Sequence, residues 1–126
     1  QQTLIIYQTW NARAIETKEE QKKMFSEVAR LHINKAVITE TENAKKNYGD
    51  RYNSQHEGYA VLLEEVEEAA DDLTYIKNNL AVLWQSIKTN DLKDTTLFTD
   101  IEGTAQMLAL EAVQIAAVCT KFKESL

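Results

Sequence analysis

Two stretches of this chain carry apolar residues at spacings that alternate between four and three. Only an α-helix keeps such residues on one side over that length. In the first stretch the stripe is Leu62, Val66, Ala69, Leu73, Ile76, Leu80, Leu83 and Ile87. In the second it is Ile101, Ala105, Leu108, Ala112, Ile115, Cys119, Phe122 and Leu126. Both are heptad seams, the pattern by which helices pack along one another. Nothing breaks them, because the 126 residues include no proline and only three glycines. A β-sandwich needs far more turn residues than that.

The seams have readable boundaries. Ser54-Gln-His-Glu57 is a capping box, in which Ser54 accepts from the Glu57 N–H and Glu57 reaches back to Ser54. A helix therefore starts there and runs to about Lys88. Thr89–Asp94 reads as a break, and a further helix runs to the C-terminus. A first helix begins near Thr17, with Met24, Val28, Leu31 and Ile38 in period and Lys35 in the remaining slot. The turn residues of Asn47–Asn53 close it. Residues 1–16 are left unassigned. Alanines 105, 109, 112, 116 and 117 make the last helix slim and easy to approach. The expectation is one all-α domain over 1–126, a long antiparallel helical hairpin or bundle completed by oligomerisation as a homo-dimer or homo-tetramer.

Charge narrows the partners. Acids outnumber bases 20 to 14, for a net charge of −6. A nucleic-acid binder needs a basic footprint, so neither nucleic acid nor an anionic membrane surface is an expected partner. No apolar run approaches the ~20 residues of a membrane span. Leu4-Ile-Ile6 is too short for the apolar core of a signal peptide. The single cysteine, Cys119, cannot form an internal disulfide and occupies a seam slot, where it reads as a small core residue. A reducing cytoplasm is the expected compartment.

The acids are not spread evenly. Glu64, Glu65, Glu67, Glu68, Asp71 and Asp72 fall on a little over two turns, and no Lys or Arg occurs from Tyr52 through Ile76. Glu65 and Glu68 are i,i+3 neighbours, and Glu64 and Glu68 are i,i+4 neighbours. Each such like-charge pair costs roughly 0.2–0.5 kcal/mol in an isolated helix. A hard cation such as Mg²⁺ is the expected compensation for this arrangement. A solvated acidic face is the plainer account, and it suffices for Glu67, Asp71 and Asp72. Glu111 argues against it for the rest, because it is the only acid between Glu102 and Glu124 and lies in an Ala-rich, apolar stretch. With Val66 and Ala112 as a positions, Glu65 and Glu111 are g, and Glu68 and Gln114 are c. Antiparallel pairing of the two helices then converges these four oxygen-bearing side chains.

These residues carry a resemblance. His56-Glu-Gly-Tyr-Ala-Val-Leu-Leu-Glu-Glu-Val-Glu-Glu68 is similar to the metal-binding helix of MazG-like proteins, especially small phage-type members of the all-α nucleoside triphosphate pyrophosphohydrolases. Glu64-Glu65-Val-Glu-Glu68 resembles the first half of the family signature, EExxE. Glu111-Ala-Val-Gln114 resembles the second half, ExxD, with Gln114 where the wider family carries Asp. The likeness covers roughly residues 48–123, with more residues between the two halves than is usual. It implies Mg²⁺-dependent cleavage of a nucleoside triphosphate to monophosphate and pyrophosphate, with Mn²⁺ as a possible substitute. It implies Glu65, Glu68 and Glu111 as metal ligands, with Glu64 as a further ligand or the group that orients water. Gln114 becomes a weaker, uncharged contact at the catalytic centre. Lys46, Arg51 and His56 precede or open the acidic helix and are the candidate contacts to triphosphate. A non-catalytic metal- or nucleotide-binding module and a ligand-free helical interaction protein are the alternatives.

Overall fold

The computed structural model describes residues 17–126. It contains three helices, α1 (Lys18–Tyr48), α2 (Gln55–Lys88) and α3 (Thr96–Glu124), and no strand among the described residues. The unassigned segment 1–16, with its Leu4–Ile6 run, lies outside them. The protein is all-α, as its periodicity predicts.

The helix starts follow capping chemistry. The Thr17 side chain accepts from the Glu20 N–H at 3.1 Å, and Ser54 accepts from the Glu57 N–H at 3.1 Å. The return half of the predicted capping box is displaced by one residue. Glu57 accepts from the backbone and side chain of Asn53, at 3.4 and 3.1 Å, rather than from Ser54. Asp94 accepts from the N–H and hydroxyl of Thr96 at 2.9 and 2.6 Å. The Thr96 hydroxyl, and then its N–H, hold the Asp94 carboxyl below the usual aspartate range.

α3 is the middle helix. It packs on both α2 and α1, whereas α1 and α2 do not pack on each other. Gly58 near the start of α2 meets Phe122 near the end of α3, so these two helices are antiparallel. Lys45 near the end of α1 pairs with Glu124 at the end of α3, so these run parallel. The α1–α2 connection wraps over the end of α3. There Arg51 donates to the Ser125 carbonyl at 3.1 Å, and the Tyr52 N–H donates to Ser125 Oγ at 3.0 Å. The Tyr52 ring meets Phe122 edge-on, with centroids 6.0 Å apart.

The register of the hairpin corrects the predicted seam. Leu62, Ala69, Ile76 and Leu83 are partly buried, as expected, but the alternate places are taken by Glu65, Asp72, Asn79 and Ser86. Val66, Leu73, Leu80 and Ile87 are instead between 43% and 51% exposed. On α3 the same half-step brings Thr104, Glu111 and Val118 inward and leaves Ala105, Ala112, Cys119 and Leu126 exposed. Cys119 is therefore a surface thiol rather than a core residue. In α1, Ile38 is 51% exposed, while Thr41 is buried and its hydroxyl donates to the Val37 carbonyl at 2.7 Å. Each helix carries more apolar positions than one interface uses. The shared positions Leu62, Ala69, Ile76 and Leu83 belong to either stripe, and half a residue step, about 50°, separates the two.

By length and composition alone, α3 is apolar enough to cross a membrane. In the folded chain it lies against both other helices. It approaches α2 closely at Gly58, where an added Cβ would lie 2.8 Å from ring carbons of Phe122. Alanine favours a helix by up to about 1 kcal/mol over glycine. Gly58→Ala is nonetheless expected to destabilise, since overpacking costs about 1–3 kcal/mol. The denaturation midpoint checks this, and an unchanged or raised midpoint would contradict the Gly58–Phe122 contact.

Candidate metal centre

The half-step in register matters because it turns two carboxylates toward each other. Glu65 of α2 and Glu111 of α3 both occupy inward seam positions and are only partly exposed. Glu68, one turn along α2, is exposed. One carboxylate oxygen from each of the three lies within 4.8 Å of the others. Opposite ligands on Mg²⁺ are about 4.2 Å apart, and on Ca²⁺ about 5 Å. The 4.8 Å limit lies between these two spans.

The electrostatics point the same way. Burial pushes the Glu65 carboxyl up, and the charge of Glu68 pushes it further, against a smaller opposing contribution from hydrogen bonding to Glu111. The Glu68 carboxyl is also raised, first by hydrogen bonding to Glu111 and then by that residue's charge. The pair thus competes for positive charge. Glu111 Oε2 is closed off from solvent and lacks a hydrogen-bond partner. A buried acceptor left in that state is costly unless a proton or cation satisfies it. The donor set, carboxylate oxygens alone, suits a hard cation.

Because α1 and α2 do not pack on each other, a cleft of about 540 Å³ opens between them, floored by α3. Glu64, Glu65 and Gln114 line it, so the cluster meets the cleft through Glu65. Glu40, Asn43, Asn47 and Tyr48 of α1, Tyr52 of the connection, and Glu57 and Lys121 complete most of the lining. Glu65, Glu68 and Glu111 come together, and Glu64 and Gln114 stand beside them on the cleft. The three candidate phosphate contacts are elsewhere. Lys46 and His56 are exposed and do not line the cleft, and Arg51 is engaged at the end of α3.

Sequence reasoning missed Lys121. It is only 2% exposed, and its ammonium lies over the Tyr52 ring, 4.3 Å from the centroid. A signal was present: no Lys or Arg occurs from Leu97 through Thr120, and Lys121 stands seven residues after Gln114, on the same face. No family model, curated protein or solved structure matches this chain.

The raised carboxyls set a pH dependence. Glu65 and Glu68 hold protons more tightly folded than at the ordinary value of 4.5. The native state then binds more protons than the unfolded chain, so stability falls as pH rises from that value through the raised ones. Without divalent cations, this contribution makes the protein melt higher at about pH 5 than at about pH 7. Glu68→Gln, which is neutral throughout, should raise the melting temperature at neutral pH and flatten the profile. Identical pH profiles for wild type and variant would show that these carboxyls do not compete.

Proposed function

We propose that this protein is a Mg²⁺-dependent nucleoside triphosphate pyrophosphohydrolase that releases pyrophosphate and a nucleoside monophosphate. The supporting observation is the convergence of Glu65, Glu68 and Glu111, the last of which has one oxygen, Oε2, closed off and unsatisfied. It agrees with the MazG-like resemblance of Glu64–Glu68 and Glu111–Gln114. Glu65, Glu68 and Glu111 would hold the ion, with Mn²⁺ able to replace it. When bound, Mg²⁺ draws charge from the phosphate oxygens.

The remaining work falls to the chain itself. Glu64 lines the cleft beside the cluster. It accepts the proton of the water that adds across the α,β-anhydride, as a general base. That addition breaks one P–O bond and yields monophosphate and pyrophosphate. Gln114 offers a carbonyl oxygen without charge, which orients a polar partner but contributes less to cation affinity than Asp would. A reducing cytoplasm suits a chain whose one cysteine has no internal partner.

The proposed assembly is a homo-dimer or a homo-tetramer. Leu63, Val66, Leu73, Leu80, Trp84 and Ile87 form a second stripe along α2 and are all at least 40% exposed. Their spacing repeats the seam period, which a second copy of the same helix matches. Leu73→Glu together with Leu80→Glu should convert the sedimentation profile to monomer. A wild type that sediments as monomer at high concentration would contradict the assembly.

Turnover is tested by incubating the protein with each NTP and dNTP plus Mg²⁺ and assaying pyrophosphate. Glu65→Ala and Glu68→Ala should each lower the rate by more than about 100-fold, beyond the usual effect of losing a group that merely supports a metal ligand. Gln114 favours one other reading, a module of this fold that binds metal or nucleotide without turnover. No pyrophosphate, with Mg²⁺ still raising the melting temperature, would select that module over the enzyme.

A further inference from the structure

We infer that Lys121 is the anchor for a phosphate-bearing ligand in the cleft between α1 and α2. This deepens the hydrolase reading and rests on it for the class of ligand. The observation that prompts it stands apart from the carboxylate cluster. Lysine is almost never fully buried unless it is paired. Lys121 is 2% exposed, yet no ion pair or hydrogen bond of its ammonium is present among the described residues. Its polar contact is the face of Tyr52, with the ammonium 4.3 Å from the ring centroid. That ring attracts a cation but leaves its N–H donors unused.

The surroundings explain why the position is fixed and what it faces. The aliphatic stem leaves α3 beside Ala117 and Val118, both buried. Tyr52 is held by its N–H to Ser125 Oγ and by its ring against Phe122. Lys121 lines the cleft together with Tyr52, the ring its ammonium lies over. Around it the cleft is lined by Glu40, Glu57, Glu64 and Glu65, none of which pairs with it.

Four carboxylates repel a bare anion. They do not repel one that arrives with a divalent cation, because the cation neutralises the acids at its own end of the cleft. A polyphosphate then extends from that end along α3 to the ammonium. Seven residues separate Gln114 and Lys121, two helical turns or roughly 10 Å along one face. Lys121 thereby supplies the charge that Lys46, Arg51 and His56 do not bring to the cleft.

Inorganic tripolyphosphate is the probe, titrated calorimetrically into the full chain with Mg²⁺ present. Lys121→Met keeps the length and apolar bulk of the stem and should weaken binding about 10–100-fold, the loss expected for one charge-assisted contact. Lys121→Arg should restore most of it, which a packing role alone would not do. The rise in melting temperature caused by Mg²⁺ alone should be the same in wild type and Lys121→Met. Should the methionine variant fail to fold, Lys121→Gln takes its place with the same expectation. Tripolyphosphate binding that is unchanged in the neutral variants, or absent in wild type, overturns the anchor. If Mg²⁺ leaves the melting temperature unchanged while tripolyphosphate binding still depends on Lys121, the metal reading fails and the anchor stands.

Discussion

The structure depends on two carboxylates placed at the inner seam of a helical hairpin. Glu65 and Glu111 occupy positions where a heptad would ordinarily place an apolar residue. Burial and the charge of Glu68 push the Glu65 carboxyl up, and charge held at a partly buried seam weakens the fold that holds it. The hairpin tolerates this because the remaining seam is long and includes Leu62, Ala69, Ile76 and Leu83. The same arrangement leaves one oxygen of Glu111 shut off and unsatisfied. A fold that bears such a cost without a ligand becomes more stable with one, since anything that binds only the native state stabilises it.

The path of the chain turns that local conflict into a site. α3 packs against both neighbours while α1 and α2 stay apart, so a groove follows directly from the topology. The α1–α2 connection closes one end through Arg51, Tyr52 and Ser125. Gly58 lets Phe122 lie close, and Phe122 supports the Tyr52 ring beneath Lys121. Packing at the end of the hairpin and charge in the cleft are therefore one mechanical unit. A change at Gly58 should be felt at Lys121 through these two rings.

Much of the fold was legible in the sequence for simple reasons. Alternating four-three spacing, the Ser54 cap and the Asn47–Asn53 turn each leave a local mark, and each depends on only a few neighbouring residues. Register was not legible. Leu62, Ala69, Ile76 and Leu83 fit two stripes equally well, and hydropathy alone favours the stripe that includes Val66 and Leu73. The pairing instead turned Glu65, Asp72 and Asn79 inward, which no apolar count predicts. Of the site residues, the acids stood out because unbalanced charge on a helix is conspicuous. Lys121 did not, because a lysine near a C-terminus ordinarily serves the helix dipole, and only the cleft reveals it as unpaired. Arg51 looked like a phosphate contact for its position before the acidic helix, yet backbone carbonyls at the end of α3 take it first.

We propose that Glu65, Glu68 and Glu111 form one cation site across α2 and α3. Anomalous diffraction from crystals soaked in Mn²⁺ tests it most directly, since the ion reports its own position. One strong peak is expected between the three carboxylates, about 2.0–2.3 Å from an oxygen of each. A peak elsewhere, or none at saturating Mn²⁺ with the three side chains ordered, would contradict it.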